Sequence, residues 1–180
     1  MSIGRLQVVF YSVLGACILT IITSFSLFDF IEVDTATNWT MRYFALPILI
    51  VMTPTCYYIY LRFLRHYEIK EYESEFWTKA RNIFRIFTLT IGMSLILVVT
   101  TLSIIILTNA YVGDSKTITL DATIVDYYSR KSKGRTRHYI KIEDKQLKRI
   151  VELKVDKPYQ AGEAFSRTIK IGYWGLLYSN

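Results

Sequence analysis

Three stretches without a single Asp, Glu, Lys or Arg decide most of what this chain can become: Leu6–Phe28, Tyr43–Leu61 and Ile86–Gly113. A helix rises about 1.5 Å per residue, so about 20 apolar residues cross roughly 30 Å of hydrocarbon. The first two stretches have 23 and 19 residues, and the third contains SLILVVTTLSIIILTNA over residues 94–110. The 180-residue chain keeps a mean hydropathy of +0.26 although 21% of it is charged. The three stretches exclude an ordinary soluble enzyme, a disordered chain and a disulfide-stapled secreted mini-protein. The expected fold class is membrane α + β. Residues 1–110 supply three transmembrane helices, about 6–28, 43–61 and 86–110. Residues 111–180 follow as a small antiparallel, barrel-like domain of the OB or SH3 type, with about five strands.

The flanks set an expected orientation. Residues 29–42 carry Asp29, Glu32 and Asp34 against Arg42, whereas 62–85 carry Arg62, Arg65, Lys70, Lys79, Arg81 and Arg85. Lys and Arg close to span ends stay cytoplasmic. The N-terminus is therefore expected inside, and residues 111–180 outside the cytoplasm. The tail holds 14 of the 22 Lys and Arg, but whole domains translocate largely regardless of charge. Pro54 removes a backbone donor inside the second span, so Thr53 or Thr55 is expected to satisfy the freed carbonyl. Between spans two and three, about 66–84, Ile69, Tyr72, Phe76, Ala80 and Ile83 recur at helical spacing. This is either an amphipathic helix in the headgroup layer or a plain extension of the spans, with Glu75 and Lys79 an i,i+4 pair.

In the tail the period changes to two. Ile118, Leu120, Ala122 and Ile124 alternate with polar residues, after which Val125 and Tyr127 take over the apolar role, the phase flip of a β-bulge. A basic loop follows, SRKSKGRTR over 129–137. His138, Ile140 and Ile142 begin the next strand, which ends at a polar turn, Glu143–Gln146. Val151, Leu153 and Val155 form another; DKPYQAGE (156–163) turns the chain; Ile169, Ile171 and Tyr173, then 174–178, complete the set.

Candidates for chemistry are few. His138 with Asp126 and Ser132 supplies the residue types of a triad, and the plainer reading is a strand histidine. No cluster has metal-ligand spacing and no glycine run cradles a phosphate, so neither catalytic residue, metal nor cofactor is assigned. Cys17 and Cys56 fall in separate spans. The spans contain no ionisable residue of the kind that marks a transport path, though their threonines leave an oligomeric channel or transporter subunit as the alternative function. Ser12, Ala16 and Thr20, spaced by four, permit close helix approach and hence a homo-oligomer. Asn38-Trp39-Thr40 matches a glycosylation sequon, but Trp39 reads better as an interface anchor.

The densest local feature is the basic hairpin. Arg130, Lys131, Lys133, Arg135 and Arg137 place five cations within eight residues, flanked by Tyr128 and Tyr139. Cations so close repel one another, so an external anion is expected to compensate them: membrane lipid, an acidic protein or an envelope polymer. Nucleic acid suits the charge, but the expected side of the membrane argues against it. The bland reading is a solvated loop.

The segments TITLDATIVDYYSRKSKGRTRHYIKI, VDKPYQAGE and IKIGYWGLLY resemble the C-terminal β-domains of small bacterial inner-membrane proteins, over roughly 115–178. The layout is also similar to that of toxin-immunity and entry-exclusion proteins. The resemblance implies a non-enzymatic protein whose exported domain binds a macromolecular partner, as an immunity, exclusion or envelope-complex subunit does. It brings no catalytic residues.

Overall fold

The computed structural model describes residues 3–64, 74–132, 135–144 and 149–179. Helix α1 spans Ile3–Ser26, a two-residue strand β1 Phe30–Ile31, and helix α2 Val33–Thr40. A π-helical turn, Met41–Ala45, leads into α3, Leu46–Ile59, and a second, Tyr60–Leu64, follows it. Helix α4 runs from Glu75 to Tyr111. Five more strands follow: β2 Lys116–Ser132, β3 Arg135–Asp144, β4 Arg149–Val155, β5 Ala164–Ile171 and β6 Leu177–Ser179. The chain divides into two compact units, Met1–Thr23 with Thr37–Ile104, and Ser24–Ala36 with Ile105–Asn180.

The first unit is helical. Three helical segments, Gln7–Ser26, Val33–Arg62 and Glu75–Tyr111, are long and apolar enough to cross a membrane. Many of their large apolar side chains, among them Val8, Tyr11, Leu19, Leu46, Ile50 and Phe87, are exposed, as lipid-facing residues are. The second helical segment starts ten residues before the expected span at Tyr43, because residues 33–42 continue it rather than forming a loop. Pro47 and Pro54 sit within it. The π-turn at Met41–Ala45 immediately precedes Pro47, the local widening by which such helices accommodate proline. Around Pro54, whose missing N–H frees the Ile50 carbonyl, the expected hydroxyl pairing takes another form. Thr53 Oγ1 donates to the Leu49 carbonyl and Thr55 Oγ1 to that of Val51, both at 2.8 Å, so they take the carbonyls on either side. Residues 75–84 are the first turns of α4, with the Glu75–Lys79 ion pair formed at 2.6 Å; residues 65–73 lie outside the described ones.

The second unit is a nearly closed antiparallel sheet in the order β1-β6-β5-β2-β3-β4. The five expected strands are β2 to β6; β1, hidden in the acidic segment after α1, is the sixth, pairing Phe30 with Ser179 and Ile31 with Tyr178. Leu120, Ile124, Ile140, Ile142, Val151, Leu153 and Ile169, at most 2% exposed, alternate inward to make its core. The expected bulge is present as a register shift between Ile124 and Asp126. Of the two residues expected to take over the apolar role, Tyr127 packs against the core, whereas Val125 is exposed. Ile124 meanwhile exchanges backbone hydrogen bonds with the 156–163 turn, donating to Glu163 O at 3.0 Å and accepting from Gly162 N at 2.8 Å. Gly162 has φ +90°, a conformation that favours glycine. Tyr173 and Trp174 lie in a turn before β6 rather than in strands. The polar turn expected at 143–146 falls partly outside the described residues.

Candidate functional site

Strand β2 is long for what supports it. It pairs with β5 only over Lys116–Thr123, and β4 leaves β3 at the pair His138↔Val155. Beyond those points, among the described residues, β2 and β3 pair only with each other, through Arg130↔Arg137, Lys131↔Thr136 and Ser132↔Arg135. The segment expected as a basic loop is thus mostly a two-stranded ribbon, because strand pairing carries on past the sheet; Lys133 and Gly134 lie outside the described residues. Strand alternation puts Tyr128, Arg130, Arg137, Tyr139 and Lys141 on the outer face. Of the five hairpin cations, the register sets Arg130 and Arg137 side by side and Lys131 on the opposite face; Arg135 is placed by register alone.

The outer face is built on the Tyr128↔Tyr139 pair, whose rings stack with centroids 5.2 Å apart and planes 14° from parallel. The Arg130 guanidinium lies 5.2 Å from the Tyr128 ring centroid and 5.9 Å from that of Tyr139, and the Lys141 ammonium 5.9 Å from Tyr128. These are cation–π distances. Tyr128 Oη donates to Glu152 Oε1 on β4. Its pKa is pushed up to about 12, first by desolvation and then by the hydrogen bond to and charge of Glu152; Arg130 opposes the shift. Among the described residues no carboxylate lies within ion-pair distance of Arg130, Lys131 or Arg137, all three exposed. Asp126 is drawn instead to Lys141, 3.8 Å away.

That geometry dissolves the triad. Asp126 stands on the outer face opposite Lys141, whereas His138 belongs to the inner face with Tyr127. The His138 Nδ1 is held 2.7 Å from Tyr127 Oη, with the two rings stacked at 5.9 Å. Among the described residues no group of three His, Cys, Asp or Glu side chains could hold a metal ion.

A second cluster escaped the sequence reading. Asn109, 1% exposed, lies near the end of the third charge-free stretch, in the last turn of α4. Its Nδ2 donates to Leu176 O at 3.0 Å, and its Oδ1 accepts from Trp174 N at 3.0 Å and Leu176 N at 3.3 Å. Its backbone carbonyl accepts from Tyr173 N at 2.9 Å. Gly172 must be glycine here, since a Cβ on it would meet Asn109 O at 1.9 Å. Glu32 does similar work before α2. Its carboxylate accepts from Leu177 N at 3.1 Å and from Thr35 Oγ1 at 2.5 Å, while its own N–H donates to Leu177 O at 3.0 Å. The signals were a polar amide at the end of an apolar helix and a Gly-Tyr-Trp-Gly run, but the partners lie far apart in sequence.

No protein-family model, curated protein or solved structure matches the chain.

Proposed function

We propose that this chain is a non-enzymatic, membrane-anchored protein whose sheet domain binds an acidic macromolecular partner, a protein surface, through the β2–β3 ribbon. The domain faces the periplasmic side of a bacterial inner membrane, and the protein acts as an immunity, exclusion or envelope-complex subunit does. One observation carries the reading: Arg130 stands directly opposite Arg137 on a ribbon that, among the described residues, no third strand supports. Like charges so placed weaken strand pairing, and a two-stranded ribbon is marginal to begin with. An arrangement that costs stability makes sense where a partner's carboxylates complete it. Guanidinium groups suit that task, because each presents a planar fork that takes a carboxylate through two hydrogen bonds. The stacked tyrosines offer apolar area at low cost in side-chain entropy.

The test is site-specific photocrosslinking in native membranes. A photoreactive residue at Thr136 should capture one defined partner, one at Val125 should not, and the triple variant Arg130→Glu, Lys131→Glu, Arg137→Glu should abolish capture. Capture that persists in the triple variant with unchanged salt dependence removes the ribbon as the contact. Sidedness is tested separately: protease added to intact spheroplasts should cleave the sheet domain and spare a tag at Met1, and the reverse pattern overturns the orientation.

A further inference from the structure

The network that fixes the Gly172–Leu176 turn leaves its two large side chains outside. Tyr173 is 59% and Trp174 45% exposed, with their rings edge to face at 5.1 Å. Tyr111 closes α4 at 64% exposure, followed by Val112 at 48%. The Tyr173 ring lies over Gly113, where an added Cβ would meet its Cδ2 at 2.9 Å. The Trp174 indole N–H donates to Thr108 Oγ1 at 2.9 Å, so the indole is tied to the last turn of α4. An exposed aromatic group of this size is unusual on a domain whose core is otherwise closed.

We propose that Tyr111, Tyr173 and Trp174 form an interfacial anchor lying in the headgroup layer of the bilayer that α4 enters, and that the turn is a lipid-contacting element. Continuity with the apolar helix carries the argument. Residues 105–113 are the end of the charge-free stretch, and the first charge beyond it is Asp114. Tyr173 and Trp174 are bonded to Asn109 and Thr108, so they stand at the level where the apolar run stops. Trp and Tyr favour that level, because each has an apolar body and a polar tip. The turn also suits a region poor in free water. The backbone N–H groups of Gly172, Tyr173, Trp174, Gly175 and Leu176 are all hydrogen-bonded within the unit. With Gly172 pressed against Asn109, the aromatic pair is already ordered, and little entropy remains to be lost on contact. The proposal requires α4 to enter a bilayer and is independent of the ribbon's partner.

The experiment uses the full chain in phosphatidylcholine–phosphatidylglycerol vesicles. Of the three tryptophans, Trp39 and Trp77 are replaced by Phe, leaving Trp174 as the sole reporter. Its emission should be blue-shifted, quenched more by lipids brominated near the glycerol end of the chain than near the methyl end, and little affected by iodide. Emission that iodide quenches and brominated lipid does not would overturn the anchor. A measurement without substitutions backs this up: in vesicles holding the natural chain, hydroxyl radicals should oxidise Trp174 several-fold more slowly than the exposed Ile150, although indole is the more reactive group. Oxidation of Trp174 as fast as Ile150, or protection that grows with protein density in the vesicle, would also overturn it, the latter by putting a second copy of the chain on the patch.

Discussion

At the Gly172–Leu176 turn one buried amide, Asn109, completes three hydrogen bonds to a loop 65 to 67 residues away, and its carbonyl takes a fourth. In the outer part of the β2–β3 ribbon, among the described residues, two strands pair only with each other, with one arginine set against another. In the first region the backbone N–H groups from Gly172 to Leu176 and the Asn109 amide all have partners, so losing that amide leaves donors bare. The second sets like charges side by side, in water, where changing a residue relieves as much as it breaks. The contrast separates what the fold needs from what it displays. A buried polar network that is fully satisfied is a structural specification; exposed and mutually repelling cations need a reason outside the fold.

The contrast breaks most sharply at Gly172. Gly172→Ala places a methyl carbon within 1.9 Å of a carbonyl oxygen and 2.4 Å of the Asn109 amide nitrogen, so turn and helix end cannot both stay where they are. The expected loss is above about 4 kcal/mol, at the severe end for single substitutions. Limited proteolysis in detergent should find the sheet domain cleaved under conditions where the natural chain resists. Asn109→Ala should come next. It strands the Leu176 and Trp174 N–H groups, each worth roughly 1–3 kcal/mol when buried without a partner, while the Leu176 carbonyl keeps the Gly172 N–H. Glu32→Ala strands the Leu177 N–H and should lower stability by about 2 kcal/mol by the same reasoning, read as a lower midpoint of thermal unfolding. A sheet domain indifferent to all three would mean that the turn decorates the fold rather than holding it.

The spans and most of the sheet were legible because their signals are local. Charge-free runs mark the helices, and two-residue alternation marks β2 through β5. The phase flip at Ile124–Tyr127 marked the bulge, though not that Val125 would be left outside. What was illegible depends on residues distant in sequence. Phe30 and Ile31 become a strand only because β6 arrives beside them. Glu32 reads as a loop charge until Leu177 presents its N–H. Asn109 reads as the last polar residue of a span until the Gly172 turn docks on it. The ribbon failed in the opposite sense. Its serine, glycine and like charges spell a loop locally, yet the Tyr128–Tyr139 stack and the pairing begun in the sheet carry both strands on.

At the ribbon, effects should be smaller and confined to it. Tyr139→Ala removes the ring that stacks on Tyr128 and lies under Arg130, an interaction worth about 1 kcal/mol. Amide hydrogen exchange should quicken at the ribbon amides, among them Lys131 and Arg137, while the core amides of Ile140 and Leu153 keep their rates. Equal acceleration in both places would show that the ribbon shares the stability of the sheet. Arg137→Thr should act the other way, slowing exchange across the ribbon by removing the repulsion with Arg130, even as it weakens partner capture.

The smallest effect concerns protons. The Tyr128 pKa, about 12 against an ordinary 10.0, says that the fold favours the neutral phenol. A group raised in this way contributes stability that is fully present below pH 10 and lost as pH climbs toward 12. The link from Tyr128 to Glu152 should therefore survive the whole physiological range, and ribbon binding should owe nothing to this phenol between pH 6 and 9. Phenolate absorbance measured as a difference between the natural chain and Tyr128→Phe should show the missing tyrosine ionising near 12 rather than near 10. Glu152→Gln should bring that value only part of the way down, since desolvation, the leading cause, stays in place when the charge goes. A full return to 10 would make Glu152 the main cause and leave the stacked face as open to water as the arginines beside it.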